Sequence, residues 1–514
     1  MTTFPRAKCP TRATLLRMTL LSTLMLAACS GSDDGDRPNA DVPPVSGGSE
    51  PLSDGSEPPP NPAPNPAPDV GVFASTPTDL VTDPSLYARD GYGQVDVVRV
   101  DLRTVARTGL ACAEDDQSGC TLADVLGDTD KTDDLVVDIP VHFRAEDFAE
   151  DGTPSNAELR QRGGGSRFAP QKSFRIRLDD KDALWRTERK ILLNKHPYDS
   201  SRIHNALAME LLATVPHLLA FRTQFAELWI DDGAGAVDHG LFTQIEEPDD
   251  RWLERRGFEA DGRLYKPELF RFSERERDAI RVDDTGAPLD EKAFENYLEI
   301  EAGDDHRALS TVMDALNDPA RSFESVLEQH FNRNNLQAWL AMNILVDQTD
   351  AVTHNYILHN PVGTERFYFV PWDYDQTFGI EEFPANDFST ASLRKRLSYG
   401  YSKGVASNFV KRFYSRPGTH AKVLARAEEL RNGPFSDANV ADLAARYTEV
   451  VTPVALAGPD RFRYKPEQSA LFDEFVSGSH DALRTNSALP LPFNVSTPRV
   501  EDGVVKFRWS DTLD

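Results

Sequence analysis

Residues 346–375 constrain the fold of this chain more than any other stretch. Two short runs of aromatic and branched residues, Tyr356–Asn360 and Phe367–Val370, flank Pro361-Val362-Gly363-Thr364-Glu365, a pattern that predicts a β-hairpin with a Pro/Gly turn. Folding about Gly363 sets residue 355 roughly opposite residue 371. Asn355 and Asp373 then meet at the open end, and Asp350 lies on the loop leading in. Alternation along the strand sends Asp373 and Asp375 to one side. Any one acid on a loop is usually a solvated surface group. Several oxygen donors arriving from a small solid angle suit a hard divalent cation. Upstream, Leu336, Trp339, Leu340, Asn343 and Ile344 recur at helical spacing over Asn335–Val346, with Asn334 or Asn335 as N-cap. A helix is therefore expected to deliver the chain into this segment.

The N-terminus has the pattern of a targeting segment. Arg6, Lys8, Arg12 and Arg17 precede a short apolar run, Met18–Ala28, closed by Leu26-Ala27-Ala28-Cys29. A basic region, a short apolar region and small residues before the cut describe an export signal over 1–28. Cys29 at the following position makes it a bacterial lipobox, with Cys29 as the lipidated N-terminus and membrane contact through that lipid. Ser30 after it points to the outer membrane if the cell is Gram-negative. Residues 29–70 are rich in Ser, Gly, Asp and Pro and can bury nothing, so they are expected to act as a tether. The formal charge of −27 becomes −31 when residues 1–28 leave with four positive charges and no negative ones. So acidic a chain is a poor partner for nucleic acid, whose affinity depends on Lys and Arg contacts to phosphate. Of four cysteines, Cys112 and Cys120 remain after Cys9 and Cys29 are assigned, and an exported chain with two such residues is expected to join them.

The folded part reads as α+β. Val95–Leu102, Leu135–Phe143, Phe174–Leu178, Phe225–Ile230 and Gly240–Ile245 have strand character, the last two around an Asp231-Asp232-Gly233 turn. They predict a β-rich part over 85–270, of antiparallel sheet, interrupted by a helix at Ile203–Leu212. From 271 to 465 the pattern is helical around the hairpin, with helices at Asn408–Tyr414, His420–Asn432 and Asp437–Val451. Residues 466–514 form a tail that ends in strand-like text. The eleven His show neither H-x-x-x-H nor HExxH spacing, so zinc has no support, and no G-x-S-x-G elbow is present.

Several pieces join the hairpin as site candidates. Gly163, Gly164, Gly165 and Ser166 can let a backbone approach phosphates, with Lys172 on the following strand. Gly240-Leu-Phe-Thr-Gln-Ile-Glu246 ends a strand in a carboxylate that can pair with Lys172 or Lys266. Asp199-Ser-Ser-Arg202-Ile-His-Asn205 opens a helix with a capping acid. His354 is expected to pack or cap rather than serve as a base. An acid, an amide five residues on, and a second acid after a returning strand is also the layout of protein kinases.

These motifs, in this order, resemble the CotH kinase family over about residues 88–465: Arg162-Gly-Gly-Gly-Ser166 with Pro170-Gln-Lys172, the Asp199–Asn205 segment, Gly240–Glu246 with Asp249, Leu264-Tyr-Lys266, Asp350-x4-Asn355-Tyr356, and Trp372-Asp-Tyr-Asp-Gln-Thr-Phe-Gly379. Phe242 departs from the Tyr common in that family. The resemblance implies an atypical bilobal protein-kinase-like fold that binds ATP with Mg²⁺ or Mn²⁺ and phosphorylates proteins of the cell envelope or surface. It implies that Lys172 and Lys266 contact phosphates or pair with Glu246, that Asp350 activates the acceptor hydroxyl, and that Asn355, Asp373 and Asp375 serve the metal. Two rivals stand beside it: a surface structural or adhesive lipoprotein with an idle site, and a structural Ca²⁺ site made of the same acids.

Overall fold

The computed structural model describes residues 96–105, 111–113, 116–129, 136–148, 154–348, 350–379, 400–402, 405–488 and parts of 494–510. The expected signal, Cys29 and the tether lie outside the described residues. All described residues belong to one compact unit, Ala74–Asp514. Within it, alternating apolar residues of the first half become the lining of a barrel. Seven strands, β1 (Val97–Thr104), β2 (Asp138–Ala145), β3 (Ala157–Arg162), β4 (Ser173–Leu178), β5 (Lys190–Asn194), β6 (Thr223–Asp231) and β7 (Ala236–Ile245), close in the order β1-β2-β3-β4-β5-β7-β6. Val100, Leu102, Val141, Phe143, Leu159, Phe174, Ile176 and Leu228 fill its interior.

The sheet is not wholly antiparallel, as the sequence had suggested. β1 and β6 pair in parallel and close the barrel, which removes two edges that would otherwise expose unpaired backbone. The helix His204–Leu212 makes this possible, because β6 is reached through a long connection rather than a tight turn. Cys112 and Cys120 are joined as a disulfide.

The hairpin does not stand alone. β10 (Tyr356–Asn360) and β11 (Tyr368–Pro371) pair with Tyr356 opposite Pro371, and β10 also pairs with β8 (Arg263–Pro267). β9 (Leu298–Ala302) completes a second sheet in the order β11-β10-β8-β9. β8 thus belongs with the second half of the chain, so a boundary at 270 cuts through a sheet. The helix Arg333–Leu345 is buried on nearly every side rather than along one stripe. Its N-cap is Asn332, whose side chain accepts from Asn335 N at 2.9 Å. Asn335, expected at the cap, instead exchanges hydrogen bonds with the backbone of Phe369 (2.7 and 3.0 Å) and so satisfies the outer edge of β11. The tail begins later than expected. Phe472–Ser487 is a helix whose Phe472, Val476 and Leu483 are buried in the main core. Beyond it, Arg499–Glu501 pairs with Val504–Lys506.

Asp460, fully buried, ties the C-terminal helices to the barrel. Its carboxylate accepts from Lys195 Nζ (3.0 Å), Leu241 N (2.7 Å) and Gln171 Nε2 (3.1 Å), and pairs with Arg202 (2.9 Å). Burial pulls the Lys195 ammonium down to about 8, with Asp460 opposing that shift. Gly240 leaves the space for this cluster. It sits at φ +81°, and a Cβ there would strike the Asp460 carboxylate and approach Lys195 Nζ to 2.9 Å. Gly240→Ala is therefore expected to cost about 2 kcal/mol or more, read as a lower denaturation midpoint. An unchanged midpoint would show that the cluster has room to move.

Candidate functional site

Two segments meet at the mouth of the hairpin, and each is held by turns that glycine-like backbone conformations make sharp. Asn355 and Asp373 have φ of +58° and +56°, and Val352, a branched residue, has +65°. Such conformations in non-glycine residues cost free energy and persist where surrounding contacts over-determine them. Those contacts are visible. Trp372 N donates to Asn355 O at 3.3 Å, which closes the hairpin. Gln348, fully buried, accepts from Asp350 N and donates to Asp373 O, both at 3.0 Å, so it ties the entering loop to the returning one. Strand alternation does not bring Asp373 and Asp375 together, since β11 ends at Pro371. The left-handed turn at Asp373 does.

A cavity of about 430 Å³ opens onto these residues. Gly163, Gly164, Gly165, Ser166, Lys266, Asp350, Asn355, Asp373 and Asp375 all line it, so nine of the residues singled out in the sequence come together. The glycine segment leaves β3 as a 3₁₀ turn, Gly165–Phe168. Arg167 fastens it from beneath, donating to Gly163 O at 2.8 Å while pairing with buried Asp128 at 3.0 Å. Arg162, donating to Asn194 Oδ1, lines the same wall.

Two candidates lie elsewhere. Lys172 donates to Arg167 O and lines a separate cavity of about 270 Å³ with Phe242 and His239. Its neighbour Ser173 faces the site cavity, and alternation turns Lys172 away. Glu246 pairs with neither Lys172 nor Lys266. It is fully buried among Arg222 (2.6 Å), Arg256 (2.7 Å) and Arg255 (3.2 Å). Burial alone would raise its pKa, but the three guanidiniums hold it down at about 2. Lys266 pairs with Glu299 and with Glu268 (3.6 Å); burial disfavours its charge, and these carboxylates more than offset that and raise its pKa.

His196, which carries no sequence signal pointing to the hairpin, stands among the acids. Its Nδ1 lies 3.2 Å from Asp375 Oδ2, and ligand atoms of His196, Asp373 and Asp375 all fall within 4.8 Å of one another. Asn205 sets the other face of the ring. Tyr374 N donates to Asn205 Oδ1 at 3.0 Å, so the amide NH₂ is turned to His196 Nε2 at 3.2 Å. The ring then accepts at Nε2 and donates from Nδ1 to Asp375. Burial opposes a second proton on His196, but Asp375 and Asp373 outweigh it and the pKa is raised. Asp199 builds the turn that carries both His196 and Asn205 by accepting from Ser201 N, Arg202 N and His204 N at 2.8, 2.8 and 3.0 Å. Its pKa lies well below the usual carboxylate range: burial works against this, and His204 and the hydroxyl of Ser201 prevail. His354, expected to pack or cap, pairs with Asp350.

Burial, and then the charge of Asp375, push the Asp373 carboxyl up to about 6. Two carboxylates that no Lys or Arg ion-pairs among the described residues, with only His196 in contact, fit a divalent metal, with Asn355 able to add a third oxygen.

An α+β protein with a carboxylate cleft between a barrel and a second sheet is the class that fold and site define. A family model described as CotH kinase protein matches residues 159–481, more than half of the chain, and the chain belongs to the CotH family. It is also similar to the inner spore coat protein H of Bacillus subtilis (strain 168), 25% identical over 231 residues, which is 43% of this chain and 59% of that protein. The match thus spans less than two thirds of the relative's length. Among the described residues, no helix is long and apolar enough to cross a membrane.

The raised carboxyl gives a prediction with a defined sign. Protonated Asp373 relieves repulsion, so its stabilising contribution is present below about pH 4 and is lost as pH rises through about 6. A divalent ion bound at these carboxylates would substitute for that proton. Mn²⁺ is expected to raise the melting temperature most above pH 6 and progressively less toward pH 4. Asp373→Asn should abolish the rise while leaving the metal-free protein at least as stable at pH 7.5. A Mn²⁺ effect of equal size at pH 4.5 and 7.5 would contradict this.

Proposed function

We propose that this chain is a metal-dependent kinase that transfers the γ-phosphoryl group of ATP to Ser or Thr hydroxyls on cell-envelope or surface proteins. The observation that carries the reading is the convergence of Asp350, Asn355, Asp373 and Asp375 with the glycine turn in one cavity. Membership of the CotH family, whose model is described as a kinase protein, supports it. The similarity to a spore coat protein supports a surface location, and the lipobox at Cys29 supports a tethered one.

A bound Mg²⁺ or Mn²⁺ would be held by Asp373, Asp375 and Asn355 and would neutralise phosphate charge. Asp350 accepts the proton of the acceptor hydroxyl, with His354 and Gln376 (3.4 Å from Asp350 Oδ2) fixing its two oxygens. Arg162 and Lys266 take the phosphate-facing role that the sequence had suggested for Lys172, since both line the cavity and Lys172 does not. The nucleoside end extends into an adjoining cavity of about 360 Å³ that shares Arg162, Gly163, Lys266 and Trp372 with the first. Catalysis of this kind is positioning and charge neutralisation, which the buried Gln348 and Asp199 contacts support.

Asp350→Asn separates chemistry from binding. Transfer of label from γ-labelled ATP to protein is expected to fall by about 10²–10⁴-fold, while metal-dependent ATP binding stays within about twofold. Undiminished transfer by the variant would remove Asp350 from this role.

A further inference from the structure

We propose that Arg160 and Arg175 form a subsite for the α-phosphate of the nucleotide, an inference that rests on the nucleotide reading above. The two residues are direct cross-strand partners on β3 and β4. Their neighbours Leu159, Phe174 and Ile176 fill the barrel, so the two guanidiniums share its outer face. Like charges placed directly opposite each other destabilise a sheet. The next pair outward shows the usual solution: Glu158 opposes Arg177 and is ion-paired with it.

Asp138 stands opposite Arg160 on β2 and its charge is felt by Arg175, but among the described residues it is ion-paired with neither, so the pair lacks the close partner that Arg177 has. Arg160 makes no ion pair or side-chain hydrogen bond among the described residues. Arg175 reaches Glu247 only at 3.7 Å, and Lys190 draws on the same carboxylate oxygen at 3.6 Å. The Nε of Arg175 is buried without a hydrogen-bond partner. Both arginines line the 360 Å³ cavity, which Glu295, Glu299 and Glu301 face from the other side. Glu299 is committed to Lys266, and burial followed by Glu247 pushes Glu301 up to about 8, so that side carries less negative charge than its composition suggests.

The position along the strands selects the ligand. Arg162 and Ser173, the cross-strand pair one alternation nearer the acids, line the metal-side cavity. At ~3.3 Å per residue, Arg160 and Arg175 lie about 7 Å further along the same wall. A nucleotide with its terminal phosphates at Asp373 and Asp375 leads its α-phosphate along this wall toward the nucleoside cavity. Guanidinium forks match phosphate oxygens in pairs, which a single ammonium does not.

The test compares AMP with adenosine by calorimetry on the whole protein with divalent metal chelated, so that Asp373 and Asp375 contribute no bridging ion. Wild type is expected to bind AMP about tenfold or more tightly than adenosine. Arg160→Gln should reduce that ratio to about twofold, and Arg160→Lys should recover only part of it. An unchanged ratio in Arg160→Gln overturns the inference. So does stabilisation by inorganic phosphate that Arg160→Gln abolishes without any preference for AMP, which would assign the pair to another phosphorylated ligand. Tight Mn²⁺–ATP binding with no AMP preference overturns the subsite alone. Failure of wild type to bind any nucleotide overturns the nucleotide reading and this inference with it.

Discussion

Asp373 and Asp375 are held side by side in a cleft where burial strengthens their mutual repulsion, and much of the surrounding structure answers that constraint. The left-handed turn at Asp373, the Gln348 bridge to Asp350 and the Asn205–His196 link to Asp375 each fix one element of the arrangement. Of these, only His196 offers the pair any positive charge. A fold that spends backbone strain to keep two acids together, and leaves their charge without a Lys or Arg ion pair among the described residues, fits an added cation.

The scaffold reaches this point through buried ionic clusters rather than through apolar packing alone. Asp460 joins the barrel to the C-terminal helices, and Glu246 gathers three arginines at the barrel's other exit. Buried pairs of this kind cost several kcal/mol when one partner is lost. Their value lies in geometry: Lys195 precedes His196, and Arg202 donates to His196 O at 2.6 Å, so the Asp460 cluster positions the histidine that contacts Asp375.

Much of the site was legible because it rests on local rules. The Pro/Gly turn at 361–363 and the flanking aromatic runs set the hairpin, and its observed register places Trp372 against Asn355. β5 was hidden because Leu192 packs outside the barrel while Ile191 and Leu193 pack inside, so Lys190–Asn194 shows no alternation. The barrel closure was hidden too, since the β1–β6 pairing joins segments more than a hundred residues apart and leaves no local trace. Lys172 and Glu246 were misplaced by an analogy of order along the chain. Which face of β4 a residue occupies is set by the pleat, and Ser173 takes the site side. His196 was invisible for the converse reason, because its partner Asp375 is 179 residues away.

The central claim is that this acid pair holds a cation which in turn holds ATP. Thermal unfolding of the purified protein with Mg²⁺ alone, with Mg²⁺ and ATP, and with Ca²⁺ alone tests it most directly, because a ligand that binds only the folded state raises the melting temperature by mass action. The account predicts that Mg²⁺ and ATP together raise it well beyond Mg²⁺ alone. A rise with Ca²⁺ alone to which nucleotide adds nothing would contradict it and leave a structural calcium site.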